Sequence, residues 1–95
     1  MNNDKTESQK EINSLATLFE KGHYKKGLEL SKNLIKKYPD SPDVLFLNGI
    51  INLALNNYLN SIDSFSKSIN INKNNADAYN NKGAALYHLG NFNDS

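Results

Sequence analysis

The feature that most constrains this chain is a repeat with a period of 34 residues. Aromatic, turn-forming and small residues each recur at this spacing, in the columns Tyr24, Tyr58 and Phe92; Gly22, Asn56 and Gly90; and Gly27, Ser61 and Ser95. Gly49 and Gly83 form a further column. The turn column holds residues that tolerate unusual backbone angles. A period shared by several residue classes indicates a stack of similar supersecondary units.

Apolar residues within each period recur at the spacing of an amphipathic helix. Leu15, Leu18 and Phe19 share one helical face, and Leu28 with Leu34 shares another. We therefore predict two helices per period. They are expected near residues 10–21, 24–37, 42–55, 58–71 and 76–89, with a sixth beginning at about Phe92.

Residues 39–43 contain start and stop signals that agree with these bounds. Pro39 is expected to end the second helix because the residue before a proline is disfavoured in helical conformation. Ser41 can cap the third helix. Pro42 suits its first turn, because N–H groups there have no partner within the helix and the N–H that proline lacks is not needed. Asp43 complements the positive end of the helix dipole.

This helix-turn-helix pattern resembles the tetratricopeptide repeat (TPR) family, whose unit also has 34 residues. The resemblance extends over about residues 8 to 95. The residues that carry it are Tyr79, Gly83, Leu86, Gly90 and Phe92 in the third period, Leu45, Gly49, Ser61 and Phe65 in the second, and Gly27 and Pro39 in the first. The glycine and small positions are expected to let the two helices of a hairpin approach closely.

The resemblance implies an all-α, right-handed α-solenoid of antiparallel helix-turn-helix hairpins. We expect a polar tail at residues 1–7 and a TPR domain at 8–95, with repeats at 8–41, 42–75 and a truncated 76–95. Three positions depart from the family pattern: Leu15 replaces a glycine, Ser31 an aromatic residue and Lys73 a proline. The first repeat is therefore expected to pack less closely.

Composition excludes several classes of function. A chain of 95 residues has room for one small domain, and its net charge of +1 with no arginine argues against nucleic acid as a partner. Cysteine is absent, which excludes disulfides and thiolate chemistry. The longest apolar run, 44–55, is too short to span a membrane, and a cytoplasmic location is expected. Asparagine is the commonest residue, so any single asparagine is weak evidence of a site.

The sequence contains no pattern that predicts catalysis. His23 and His88 lack a third ligand at a zinc-like spacing, and no glycine-rich phosphate loop is present. Asp63, Asp77 and Asp94 are too scattered to form an acid–base pair. We predict neither enzymatic activity nor a cofactor or metal.

The resemblance implies a protein or peptide as partner, bound in a concave groove lined by the first helix of each hairpin. The groove would hold an extended peptide or a partner helix, and the protein would act as an interaction module or scaffold. Carried over by alignment, the groove residues are Ile12, Asn13, Ala16, Phe46, Leu47, Ile50, Asn80, Asn81, Ala84, Tyr87 and His88.

Two binding modes known in the family fit less well. Ile12 and Ala16 occupy places where a clamp for a peptide's terminal carboxylate would need lysine or asparagine. A ladder of groove asparagines would use Asn13 and Asn81, but Leu47 interrupts it.

Two further interpretations remain open from the sequence. The chain could be the N-terminal, substrate-recruiting part of a larger enzyme such as a glycosyltransferase. Alternatively, it could self-associate through the open third repeat, where Leu86, Leu89 and Phe92 are expected to be partly exposed. The partner's identity lies beyond the sequence.

Overall fold

The protein folds as an array of five helices, in a computed structural model that describes the backbone of residues 3–94 and the side chains of residues 6–90. The helices are α1 (Asn3–Glu20), α2 (Tyr24–Lys37), α3 (Pro42–Ala54), α4 (Tyr58–Ile71) and α5 (Ala76–Asp94). No strand is present between residues 3 and 94. Consecutive helices pack against each other, and α3 also contacts α1 and α5. The predicted all-α solenoid is confirmed.

The turns that close the first two hairpins have the same construction. Gly22 and Asn56 adopt left-handed backbone angles, with φ of 78° and 65°. The residue after each donates its N–H back to the preceding helix, from His23 to the Leu18 carbonyl at 2.9 Å and from Asn57 to the Asn52 carbonyl at 2.8 Å. This geometry satisfies carbonyls left unpaired at a helix end. The predicted turn column is confirmed at these two positions.

The start of α3 is capped as the sequence predicts. The Ser41 hydroxyl accepts a hydrogen bond from the Val44 N–H at 3.3 Å, and Pro42 is the first helical residue. At the start of α5, the Asn75 side chain performs the same task and accepts from the Ala78 N–H at 3.0 Å. Each cap satisfies a backbone donor that the helix itself cannot pair.

The core lies between α1, α2 and α3 and continues into the α3–α4 hairpin. Its central side chains are Leu15, Leu34, Val44, Leu47 and Ile51. A Cβ placed on Gly27 would lie 3.1 Å from Ile51 Cδ1, which is closer than most Cβ contacts in proteins. Gly27 therefore permits the close approach of α2 to α3, between successive hairpins, whereas its column predicts close approach within one hairpin.

Two predicted helix bounds are wrong. The first helix begins at Asn3 rather than near residue 10, because residues 3–9 are all polar and carry no apolar periodicity to mark it. The predicted turn at Gly90 does not occur, since α5 continues through it to Asp94 and replaces the predicted sixth helix.

A left-handed turn is stabilised when the next helix packs back onto the hairpin, as α2 and α4 do. The residues after Gly90 continue α5 as far as Asp94 instead. The side chain of Phe92, and Ser95 altogether, lie outside the described residues, so their columns stay predictions.

Candidate functional site

Helices α1, α3 and α5 together form an open groove, called here the α1/α3/α5 groove. It encloses a cavity of about 380 Å³ lined by Phe19, Phe46, Ile50, Leu53, Ala54, Asp77 and Asn81. Phe46, Ile50 and Leu53 are spaced i, i+4 and i+7, so they form one stripe along α3. The groove thus has an apolar floor on α1 and α3 and a polar wall on α5.

The predicted groove residues of α3 lie in two different environments. Phe46 and Ile50 line the cavity, and Phe46 also packs its ring 5.8 Å from that of Phe65. Leu47 is instead buried in the core beside Val44 and Ile51. A leucine so placed supports the groove from beneath and offers no surface to a ligand.

The predicted groove residues of α1 are also divided. Ile12 and Ala16 are half-buried against the core. Asn13 is exposed and lines a separate cavity that also includes His23. Its Oδ1 accepts a hydrogen bond from Gln9 Nε2 at 3.0 Å.

On α5, Asn81 lines the groove, and its Nδ2 donates to the Asp77 carbonyl at 2.9 Å. Asn13 and Asn81 thus belong to different cavities, and each amide is engaged by its own helix.

The remaining predicted residues lie further along α5. Asn80 and Tyr87 are exposed, and Ala84 is half-buried. The His88 ring stacks on Tyr58 of α4 with centroids 5.3 Å apart, and Tyr87 meets His88 edge-on at 5.8 Å. His88 therefore joins α5 to α4 through an aromatic contact. Among the described side chains, no three His, Cys, Asp or Glu residues are grouped to hold a metal ion.

Four residues that line the groove are absent from the set predicted by alignment: Phe19, Leu53, Ala54 and Asp77. Phe19 and Leu53 each lie seven residues after a predicted groove position, Ile12 and Phe46 respectively. Extending the i, i+4, i+7 stripe along each helix would have included both.

A buried polar network lies on another face of α3. The Asn48 side chain donates to the Ser31 hydroxyl at 2.8 Å and accepts hydrogen bonds from Ser64 and from Asn52 Nδ2. Asn57 donates to Asn52 Oδ1 at 3.2 Å and extends the network to the start of α4. The amide of Asn48 thus meets Ser31, which stands where the family prefers an aromatic ring. No buried side-chain nitrogen or oxygen among the described residues lacks a partner.

A polar contact joins the middle of α1 to the end of α2. The Tyr38 hydroxyl donates to Glu11 Oε1 at 2.6 Å, and Lys37 Nζ lies 3.2 Å from the same oxygen. The Tyr38 hydrogen bond, with the nearby ammonium, lowers the pKa of Glu11. Glu11 in turn raises the pKa of Lys37 and of Tyr38, because the hydrogen bond to its carboxylate, and then its negative charge, favours the protonated form of each.

No helix among the described residues is long and apolar enough to cross a membrane. The chain matches none of the curated proteins with which it was compared. Residues 49–90 match the family model for the TPR repeat. TPR repeats generally mediate protein–protein interaction and are typically not enzymes. This match across α3, α4 and α5, together with five helices packed in sequence, fits a TPR repeat protein.

Proposed function

We propose that the protein is an interaction module that binds a peptide or a partner helix in the α1/α3/α5 groove. The observation that carries this proposal is the apolar stripe of Phe46, Ile50 and Leu53, which lines an open cavity instead of being covered by another helix. Aromatic and aliphatic side chains that line a concave surface are typical of ligand sites.

Affinity in such a groove comes from the burial of apolar anchors. One aliphatic or aromatic side chain that becomes fully buried against the floor contributes about 1.5–3 kcal/mol. Asp77 and Asn81 on the α5 wall can orient the ligand by hydrogen bonding to its polar groups. The groove thus combines an apolar source of affinity with a polar source of orientation.

A selection from a displayed peptide library, followed by titration of an enriched peptide, tests this function. Phe46→Ala should weaken binding by about tenfold or more, because it removes a large part of the groove floor. Lys26→Ala, an exposed change on α2, is the matched control and should leave the affinity unchanged. Equal effects of the two substitutions, or no enriched peptide at all, would contradict the groove assignment.

A second mode, self-association, is favoured by the exposed face of α5. Tyr79 and Leu86 are large apolar side chains that are about half exposed there. If two copies pair through this face, light scattering should show a dimer that Leu86→Asp converts to a monomer. If the wild type is a monomer at high concentration, self-association is excluded, and the proposal of groove binding is unaffected. The alternative of a substrate-recruiting enzyme segment has no observation among the described residues in its favour.

A further inference from the structure

A second concave surface lies between α2 and α4, and it uses a different face of α3 from the groove. This α2/α4 cleft has a volume of about 450 Å³. The apolar wall of the cleft comprises Leu28, Ile35 and Leu45. Its floor comprises Asn48, Asn52, Asn57 and Ser64. Its rim comprises Lys32, Asn60, Asp63 and Lys67. Because positions 45, 48 and 52 form one helical stripe and 46, 50 and 53 another, the cleft and the groove can be occupied independently.

The floor of the cleft retains hydrogen-bonding capacity. Asn48 Nδ2 has two hydrogens and donates one to Ser31, and Asn52 Oδ1 accepts from Asn57 with one of its two lone pairs. Both side chains are more than nine-tenths buried. A ligand group that reaches them would be held where competition from water is weak. By count, these two buried amides thus keep one further donor and one further acceptor position, and a peptide group has one of each.

One lysine of α2, Lys32, lines the rim of the cleft. Helix α2 contains five lysines and a single acidic residue, Glu29. Lys25, Lys32 and Lys36 are spaced i, i+7 and i+11 and so follow one side of the helix. No carboxylate among the described side chains forms an ion pair with Lys32, whereas Lys67 across the cleft is paired with Asp63 at 3.1 Å. The free positive charge at the rim favours a negatively charged ligand.

We propose that the α2/α4 cleft binds an acidic segment of a partner protein. A carboxylate of the segment pairs with Lys32 at the rim, and an adjacent apolar side chain packs on Leu28 and Ile35. The peptide backbone hydrogen-bonds to the amides of Asn48 and Asn52. This site is additional to the groove and does not depend on the groove being occupied.

The probe that tests the cleft is a hexapeptide of alternating glutamate and leucine, titrated into the isotopically labelled protein and followed by amide chemical shifts. Saturable shifts should be centred on Lys32, Asn48 and Asn52. An otherwise identical peptide with glutamine in place of glutamate should bind several-fold more weakly. The affinity should also fall as salt is added, since the ion pair at the rim is exposed.

Three charge variants make the test specific. Lys32→Glu should weaken binding of the glutamate peptide by about fivefold, the effect expected for an exposed ion pair near a binding site. Asp63→Asn should tighten binding, because it removes the acidic group at the rim and frees Lys67. Lys26→Glu is the matched control: it makes the same change of charge on α2, but position 26 does not line the cleft. The change in log Kd that it causes should be less than half of the change caused by Lys32→Glu.

Four results would overturn the proposal. They are the absence of saturable shifts, shifts confined to the groove, equal weakening by Lys26→Glu and Lys32→Glu, and an equal response to a single-stranded oligonucleotide. The last result would indicate a general polyanion surface. The three positions of the charge variants are exposed, and unchanged circular dichroism confirms that each variant is folded. Phe46→Ala should not alter this binding, so failure of the groove and failure of the cleft can be told apart.

Discussion

The α3–α4 hairpin and helix α5 contain the same repeat positions in opposite environments. A Cβ on Gly49 would lie 2.5–3.0 Å from three ring atoms of Phe65, whereas a Cβ on Gly83 would meet nothing within 4 Å. Leu45 is 4% exposed, but Tyr79 at the same place in the next repeat is 50% exposed. Asn52 and Leu86 also correspond, and their exposed fractions are 3% and 49%.

This comparison shows that the neighbouring helix, more than the residue type, decides burial in a repeat protein. Asn52 is buried because α4 covers it and because Asn48 and Asn57 satisfy its amide. Leu86 is half exposed because no described helix covers that side of α5. A residue at a given repeat position therefore makes its characteristic contribution to the stability of the fold only where a neighbouring helix packs on it.

Removal of the covering ring should give the largest effect. Phe65→Ala deletes a fully buried aromatic side chain, so it should lower the free energy of unfolding by about 3–5 kcal/mol. Urea unfolding measured by circular dichroism provides the value. Leu86→Ala on α5 is the control and should cost less than about 1 kcal/mol, since its side chain is half exposed. Similar costs for the two would contradict the distinction between covered and open faces.

The two glycines of the shared column should respond with opposite signs. Gly49→Ala forces the Phe65 ring to move and should destabilise the fold by about 1–3 kcal/mol. Gly83→Ala meets no neighbour and gains helix propensity, so it should stabilise the fold by about 0.5–1 kcal/mol. Thermal unfolding of both variants under identical conditions measures this difference. Destabilisation by Gly83→Ala would mean that α5 is covered on that face.

The polar network gives a third contrast, between buried and exposed asparagines. Asn48→Ala leaves Ser31, Ser64 and Asn52 without their shared partner and should cost about 1–3 kcal/mol. The exposed Asn80→Ala should change the free energy of unfolding by about 0.5 kcal/mol at most. Equal values in urea unfolding would show that the network does not contribute to stability.

The smallest expected effect concerns pH and the contact of Glu11 with Tyr38. Because folding lowers the pKa of Glu11, its contribution is fully present above the pKa of the unfolded carboxyl and is lost as pH falls through the folded value. Folding raises the pKa values of Tyr38 and Lys37. The stability that these two groups contribute is therefore lost as the pH rises to strongly alkaline values.

Unfolding measured from neutral pH to about pH 3 should therefore show a shallower loss of stability for Tyr38→Phe than for the wild type. Tyr79→Phe is the matched control, since the exposed Tyr79 has no contact with Glu11. It should leave the pH profile unchanged. A profile for Tyr38→Phe that superimposes on the wild type would contradict the assigned hydrogen bond.

Sequence reasoning predicted the parts of the fold that depend on local chemistry. The turns at Gly22 and Asn56, the Ser41 cap and the small residue at Gly27 each satisfy a requirement of the adjoining backbone or helix. The bounds of α1 and α5 could not be predicted in the same way. The polar first segment of α1, residues 3–9, has no apolar period. Whether Gly90 forms a turn or continues the helix depends on what packs against it.

The candidate site was less predictable than the fold, because it depends on which faces are left open. Alignment gave Phe46 and Ile50 but also Leu47, which the core buries. The network of Asn48 and Asn52 carried no sequence signal, since asparagine is common along the whole chain. Its role follows from the contact with Ser31, which only the packing of α2 on α3 reveals.

The most direct test of the central claim is a map of amide chemical shifts for a peptide obtained from the displayed library. If the α1/α3/α5 groove is the protein-binding surface, the largest shifts should fall on Phe19, Phe46, Ile50, Leu53 and Asn81, and Phe46→Ala should weaken binding by about tenfold or more. Shifts confined to the exposed face of α5 or to the α2/α4 cleft, with Phe46→Ala binding as tightly as the wild type, would contradict it.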